Sequence, residues 1–161
     1  MDGVIMQDYM VMQTQNDVAF GHGIRSYAKN CMIKEWTQGL VDAMIDAHTG
    51  DPRIFITNHV AGGAAKRVGE LDTAFPHRNA EIMLVIVSGW MDPEQDAEAI
   101  AKTREVYAKL DPYTGGYYDN IDFDGDGAVG NYGPAYGRLS QIKGQYDPGN
   151  LFRLNSNVEP A

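Results

Sequence analysis

The stretch Asp122 to Gly130, DFDGDGAVG, sets three aspartates at alternate positions before a glycine. A helix–loop–helix calcium loop takes oxygen ligands from its positions 1, 3 and 5, turns on a glycine at 6 and closes with a bidentate glutamate at 12. Asp122, Asp124, Asp126 and Gly127 satisfy the first half, but Gly133 stands where the glutamate should be. The segment before the loop also reads as strand and turn. We therefore expect an acidic turn whose aspartates accept local backbone N–H groups, and no dedicated metal site. The four histidines, His22, His48, His59 and His77, show neither helical i, i+4 pairing nor a neighbouring cysteine, so a zinc site is not indicated. The glycine-rich AGGAAKRVG, from Ala61, lacks the spacing of a phosphate loop or a dinucleotide fingerprint. Cys31 has no second cysteine to pair with and reads as a packed thiol, in keeping with a reducing, cytoplasmic compartment.

The phenols Tyr117, Tyr118, Tyr132, Tyr136 and Tyr146 could line a pocket or pack in the core with their hydroxyls reaching water, and His59, two residues after Thr57 in RIFITNHV, could face a ligand or take a surface hydrogen bond. These residues need elements to hold them. RIFITNHV alternates, with Ile54, Ile56 and Val60 on one face and Phe55, Thr57 and His59 on the other, so it reads as a strand. Ala80 to Trp90 is apolar on both faces and reads as a central strand carrying Met83 and Val85. Tyr9 to Thr14 and YYDNI (Tyr117 to Ile121) read as shorter strands, and GHGIRSYAKN (Gly21 to Asn30) as a glycine-punctuated turn.

Three helices complete the pattern. One runs over about 33–47 with Trp36, Leu40, Met44 and Ala47 on its stripe. A second follows Asp92, with Pro93 at its first position and Gln95 at its third, and buries Ile100, Thr103, Tyr107 and Leu110. The third covers about 134–146 with Tyr136, Leu139 and Ile142 inward. The fold class is therefore α+β: a mainly antiparallel sheet with helices on one face, ferredoxin-like in plan, forming one domain over residues 1–161.

Composition limits the partners. The chain has 161 residues and a formal net charge of −9, which opposes binding to a phosphate backbone or an anionic membrane. Its apolar runs are too short to cross a bilayer, and no signal peptide is visible.

The C-terminal third carries a resemblance. Tyr132-Gly133, Arg138-Leu139, Ile142-Lys143, Tyr146-Asp147-Pro148, Asn150-Leu151-Phe152-Arg153, Asn155 and Asn157 follow one another as in the closing segment of berberine-bridge-enzyme-like flavoproteins. DTAFPHR (Asp72 to Arg78) resembles a second block of that family, with Trp90 one strand later and GGAAKRV before it. The resemblance implies an FAD-dependent oxidase in which one domain grips the flavin and a second covers it with a sheet that holds substrate. This chain resembles only the later part of the second domain plus the tail, so it is expected to bind FAD poorly or not at all alone.

The resemblance also implies roles. Tyr118 and Tyr117 become catalytic candidates. Thr57, His59, Met83, Val85 and Asn120 would face substrate, and Asn120, Asn155 and Asn157 would face the cofactor once a flavin partner is present. Two positions depart from the plant members. Ile121 stands at their tyrosine base, and Met83 or Leu84 at their glutamate; none of these can accept a proton. Two partnerships are compatible with the pattern. The chain could work with a separate FAD-binding subunit, on a small organic substrate of secondary-metabolite type. Alternatively it could form a flavin-free homodimer through its uncovered sheet face, as a cyclase, an isomerase or a small-molecule-binding protein.

Overall fold

A computed structural model of the protein describes residues 5–17, 21–48, 50–121, 127–154 and 156–161. Three strands form an antiparallel sheet: β1 (Arg25–Ile33), β2 (Ile54–Val60) and β3 (Ile82–Trp90), in the order β1-β3-β2. The helices are α1 (Tyr9–Thr14), α2 (Gln38–Ala47), α3 (Asp96–Leu110), α4 (Ala128–Tyr132) and α5 (Tyr136–Tyr146). The α+β plan is thus observed, and the strand apolar on both faces lies in the middle, where both of its edges are paired.

One core sits between the sheet and α2 with α3. Cys31, Ile33, Ile82, Leu84 and Ile86 meet Leu40, Ala47, Val106 and Leu110 there, with Ile54 and Ile56 of β2 packed against them. A smaller cluster joins Tyr27, Trp90 and Ala99. Its rim is fixed by Asp96, which accepts from the Trp90 indole N–H at 2.7 Å and from the Arg25 guanidinium at 2.5 Å. Thr103 crosses from α3 to the sheet, its hydroxyl 2.7 Å from that of Ser88. Among the described residues, no helix is long and apolar enough to cross a membrane.

Several elements differ from the expectation. Tyr9–Thr14 is a helix, capped by the Asp8 carboxylate on the Met10 N–H, and it buries none of its residues. Straight-chain methionines fit a capped turn as readily as a strand. The turn at Gly21 to Gly23 ends early, and β1 begins at Arg25. Two polar residues hid this strand, and both are buried: Lys29 lays its ammonium 4.7 Å from the centre of the Tyr107 ring, and Asn30 is hydrogen-bonded to Tyr118. The first long helix starts only at Gln38, behind the Thr37 cap, which leaves Ile33 in β1 and Trp36 outside the helix, 47 % exposed. The expected strand over YYDNI is absent. The chain pairs with β1 just before it, through Gly115 N–H to Met32 and Met32 N–H to Gly116, and then turns in a 3-10 helix over Asp119–Ile121. Asp119 and Asn120 favour such a turn. Finally, α5 buries none of its residues, so Tyr136, Leu139 and Ile142 form no core stripe.

Candidate functional site

Alternation along the strands sends every second side chain away from the helices. On that open face the register builds three rungs. Ala28, Val87 and Phe55 form the first, Asn30, Val85 and Thr57 the second, and Met32, Met83 and His59 the third. Four of the residues singled out from sequence, Thr57, Val85, His59 and Met83, therefore lie on adjacent rungs of one surface. Val85 is buried and Met83 half-buried, while Thr57 and His59 on the β2 edge are exposed. Beside them a cavity of about 450 Å³ is lined by Phe55, Thr57, Val87, Trp90, Met91 and Asn16 among others. This is the size and apolar character of a small-molecule site.

The second rung also holds the tyrosine segment. Asn30 donates from Nδ2 to the Tyr118 carbonyl at 2.8 Å and accepts the Tyr118 N–H at 2.7 Å. Tyr118 is thus tethered at the β1 side of the open face, through the residue that shares a rung with Val85 and Thr57. Its phenol oxygen accepts from Asn120 Nδ2 at 2.9 Å. Its ring meets Phe75 edge-on, with centroids 6.0 Å apart.

Tyr117 goes elsewhere. Its hydroxyl donates to Asp111 at 2.9 Å, and its ring tilts against Tyr107 of α3, so it belongs to the helix layer. Tyr107 also donates to Asp111, and burial pushes its phenol far above the ordinary tyrosine range. The structure therefore separates the two tyrosines: Tyr117 belongs to the helix layer, and Tyr118 is bound to Asn30 at the β1 side of the open face.

The tail forms its own scaffold. Asp147 accepts the Leu151 and Phe152 N–H groups and the Lys143 ammonium, which also donates to the Phe152 carbonyl. These donors hold the Asp147 carboxyl down at about 2, the Lys143 hydrogen bond contributing most. Asn157 donates to Glu159 at 2.8 Å, and Asn150 donates to the other oxygen of that carboxylate at 3.0 Å. The amide oxygens of Asn150 and Asn157 are buried without a protein partner. Asn155 lies outside the described residues, as do Asp122, Asp124 and Asp126 of the acidic turn. Among the described residues, no group of three or more His, Cys, Asp or Glu side chains is placed to hold a metal.

Sequence reasoning missed Asn30, His77 and Asn131. A polar residue inside an otherwise plausible strand is the only signal Asn30 gives. His77 is buried against Asn131, and burial lowers its pKa below the ordinary value, against backbone partners at Tyr117 and Asn131 that favour the charged ring.

Residues 126–159 match the family described as berberine and berberine-like. Over 163 residues, 98% of this chain and 36% of the relative, the sequence is 30% identical to an FAD-linked oxidoreductase of Dictyostelium discoideum. The flavoenzyme CrmK of caerulomycin biosynthesis superposes with a TM-score of 0.75 at 25% identity, covering 88% of this chain and 34% of that one. Berberine bridge enzyme from Eschscholzia californica gives the same TM-score of 0.75 at 20% identity, over 86% of this chain and 33% of that one. The chain thus spans about a third of the length of the relatives it matches. With the closing motif, the sheet and the relatives in agreement, the chain belongs to the berberine bridge enzyme-like family of FAD-linked oxidoreductases and matches its C-terminal part.

Proposed function

We propose that the chain supplies the substrate-facing wall of a flavin-dependent oxidoreductase that acts on a small organic molecule. The observation that carries this reading is the open sheet face: Asn30 tethers Tyr118 at its β1 side, and a cavity of about 450 Å³ lined by Phe55, Thr57 and Val87 opens toward its β2 side. The fit to FAD is one-sided. Val85, Met83 and Thr57 make a shallow wall that could lie over a planar ring. Among the described residues, though, no glycine-rich turn leads into a helix with the spacing that cradles a diphosphate. The grip on the cofactor is therefore assigned to a flavin-bearing domain outside these residues.

When bound, the flavin supplies the two-electron acceptor. The residues of this chain bind, orient and move protons. Val85 and Met83 offer apolar contact and exclude water. Thr57 and His59 present polar atoms along the β2 edge, where they would orient a substrate. Because Asn120 donates to the Tyr118 oxygen, the phenol proton is directed away from that amide and is available to a substrate oxygen or nitrogen. Tyr118 is thereby assigned the proton-handling role that Ile121, Met83 and Leu84 cannot fill. Asn157, with its unpartnered amide oxygen, is assigned to the cofactor-facing side of the tail.

The test is spectroscopic. The purified chain is scanned across the flavin absorption bands, titrated with FAD and sized in solution. The expected result is no saturable FAD binding by the chain alone, and yellow colour arriving with a larger flavin-bearing partner that co-purifies with it. A colourless, stable homodimer that takes no such partner would overturn the reading and favour the flavin-free alternative.

A further inference from the structure

Two residues outside the open face converge on the Tyr118–Asn120 segment. His77 is 7% exposed, and its Nε2 lies 3.1 Å from the Asn131 carbonyl oxygen. A carbonyl only accepts, so Nε2 carries the proton. The imidazole lies directly over Gly116. A Cβ there would come within 2.3 Å of Cε1, and the Gly116 φ of +145° is one that L side chains rarely adopt. Asn131, on α4, uses its second group in the same direction: its Oδ1 accepts the Asp119 N–H at 3.1 Å. Phe75, two residues before His77, contacts both rings edge-on, with centroids 5.5 Å from His77 and 6.0 Å from Tyr118. The backbone on both sides of Tyr118, at Gly116 and at Asp119, is thus fixed by His77 and its partner.

We infer that His77 and Asn131 are positioning residues, a latch that holds the Tyr118–Asn120 segment in place over the sheet face. Asn30 secures Tyr118 from below, through the sheet. The latch secures the flanking backbone from α4 and from the loop before β3. Neither residue needs to touch substrate for this. The functional meaning of the latch rests on the role proposed for Tyr118, whereas the latch itself is a property of the fold and can be read without flavin.

Amide hydrogen exchange on the 15N-labelled chain reads it locally. In His77→Ala and in Asn131→Ala, exchange at the Tyr118 and Asp119 amides is expected to quicken roughly tenfold, the scale of one net hydrogen bond, while Leu84 and Ile86 in β3 keep their protection. His77→Gln, which places an N–H near the position of Nε2, is expected to restore the slow rates. Unchanged rates at Tyr118 and Asp119 in both alanine variants would overturn the latch. So would a uniform rise that includes β3, or a glutamine variant no better than alanine. If His77→Ala does not fold, Asn131→Ala carries the test, because it keeps the backbone carbonyl that His77 uses. A latch that passes beside a Tyr118→Phe variant with unaltered turnover would refute the role of Tyr118 and leave the latch standing.

Discussion

Asn30 and Tyr118 clasp one another through two hydrogen bonds, amide to carbonyl at 2.8 Å and backbone N–H to amide oxygen at 2.7 Å. Asn30 is fully buried on the central rung of the open face, so its amide takes the place of a strand neighbour for Tyr118. Asn30→Ala leaves the Tyr118 N–H and carbonyl without these partners. The expected loss is about 1–3 kcal/mol, read as a lower urea midpoint with an unchanged slope. Asn30→Asp keeps the acceptor but turns a carboxylate oxygen toward the Tyr118 carbonyl, so it should fail to rescue. An Asn30→Asp variant as stable as the parent would show that the amide-to-carbonyl half of the clasp contributes nothing, and an Asn30→Ala variant as stable as the parent would show the same of the whole clasp.

Stability should fall with acid in two steps. Burial holds the His77 pKa below its ordinary 6.5, Lys34 adds to that lowering, and Glu70 opposes it. Below about pH 6.5 the unfolded chain therefore takes up a proton that the folded chain resists. The full stability is present above that pH and declines as pH falls. The carboxylates have a second, lower window. Asp96 is held down mainly by Arg25, Glu98 by Lys102, and Asp147, at about 2, by Lys143. Their contribution is present above the unfolded carboxylate range and is lost as pH drops below about 4. Urea midpoints from pH 8 to 3 should show both limbs. His77→Gln should remove the upper limb and keep the lower; an upper limb that survives this change assigns it to another group.

Asp147 fastens the tail to α5. Its two oxygens receive the Leu151 and Phe152 amides and the Lys143 ammonium, while Leu151, Phe152 and Leu154 themselves are largely exposed. Asp147→Ala should free the turn, since little apolar burial remains to hold it. Limited trypsin treatment is expected to cut after Arg153 several-fold faster in the variant, with the sheet and α3 left intact. Equal rates at Arg153 would mean that Glu159, through Asn150 and Asn157, holds the tail by itself.

How much of this could be read from the residues depends on where each partner lies in the chain. β2, β3 and α3 were legible because their apolar periodicity is local: Ile54 with Ile56, the run Ile82 to Ile86, and Thr103 with Leu110. The gathering of Thr57, His59, Met83 and Val85 was legible for the same reason, as alternation alone chooses the face. β1 was not, because Lys29 and Asn30 break its apolar pattern and find their partners in Tyr107 and Tyr118, 78 and 88 residues away by subtraction of their numbers. The two adjacent tyrosines were indistinguishable in sequence. Only the fold sends Tyr117 to Asp111 and Tyr118 to Asn30. The inward stripe expected on α5 failed for a different reason: its pattern is amphipathic, but no described element of this chain buries that face.

That division between neighbours gives the sharpest kinetic expectation. Tyr118 and Tyr117 each lose one hydroxyl on mutation to phenylalanine, but the two oxygens do different things. The Tyr118 oxygen accepts from Asn120 at an exposed position, whereas the Tyr117 oxygen is bound to Asp111 in the helix layer. In the flavin-loaded assembly, Tyr118→Phe should lower kcat by roughly 10²-fold or more, the scale of one lost general acid–base group, with KM changed little. Tyr117→Phe should leave turnover within a few fold and instead cost about 1 kcal/mol of stability, the net value of one hydrogen bond. Asn120→Ala should fall between them, since it removes the donor that orients the Tyr118 phenol and leaves the phenol itself. Steady-state kinetics with urea unfolding on all three variants separates these outcomes. If Tyr117→Phe proves the slower enzyme, the proton moves through the helix layer, and the role assigned to Tyr118 is wrong.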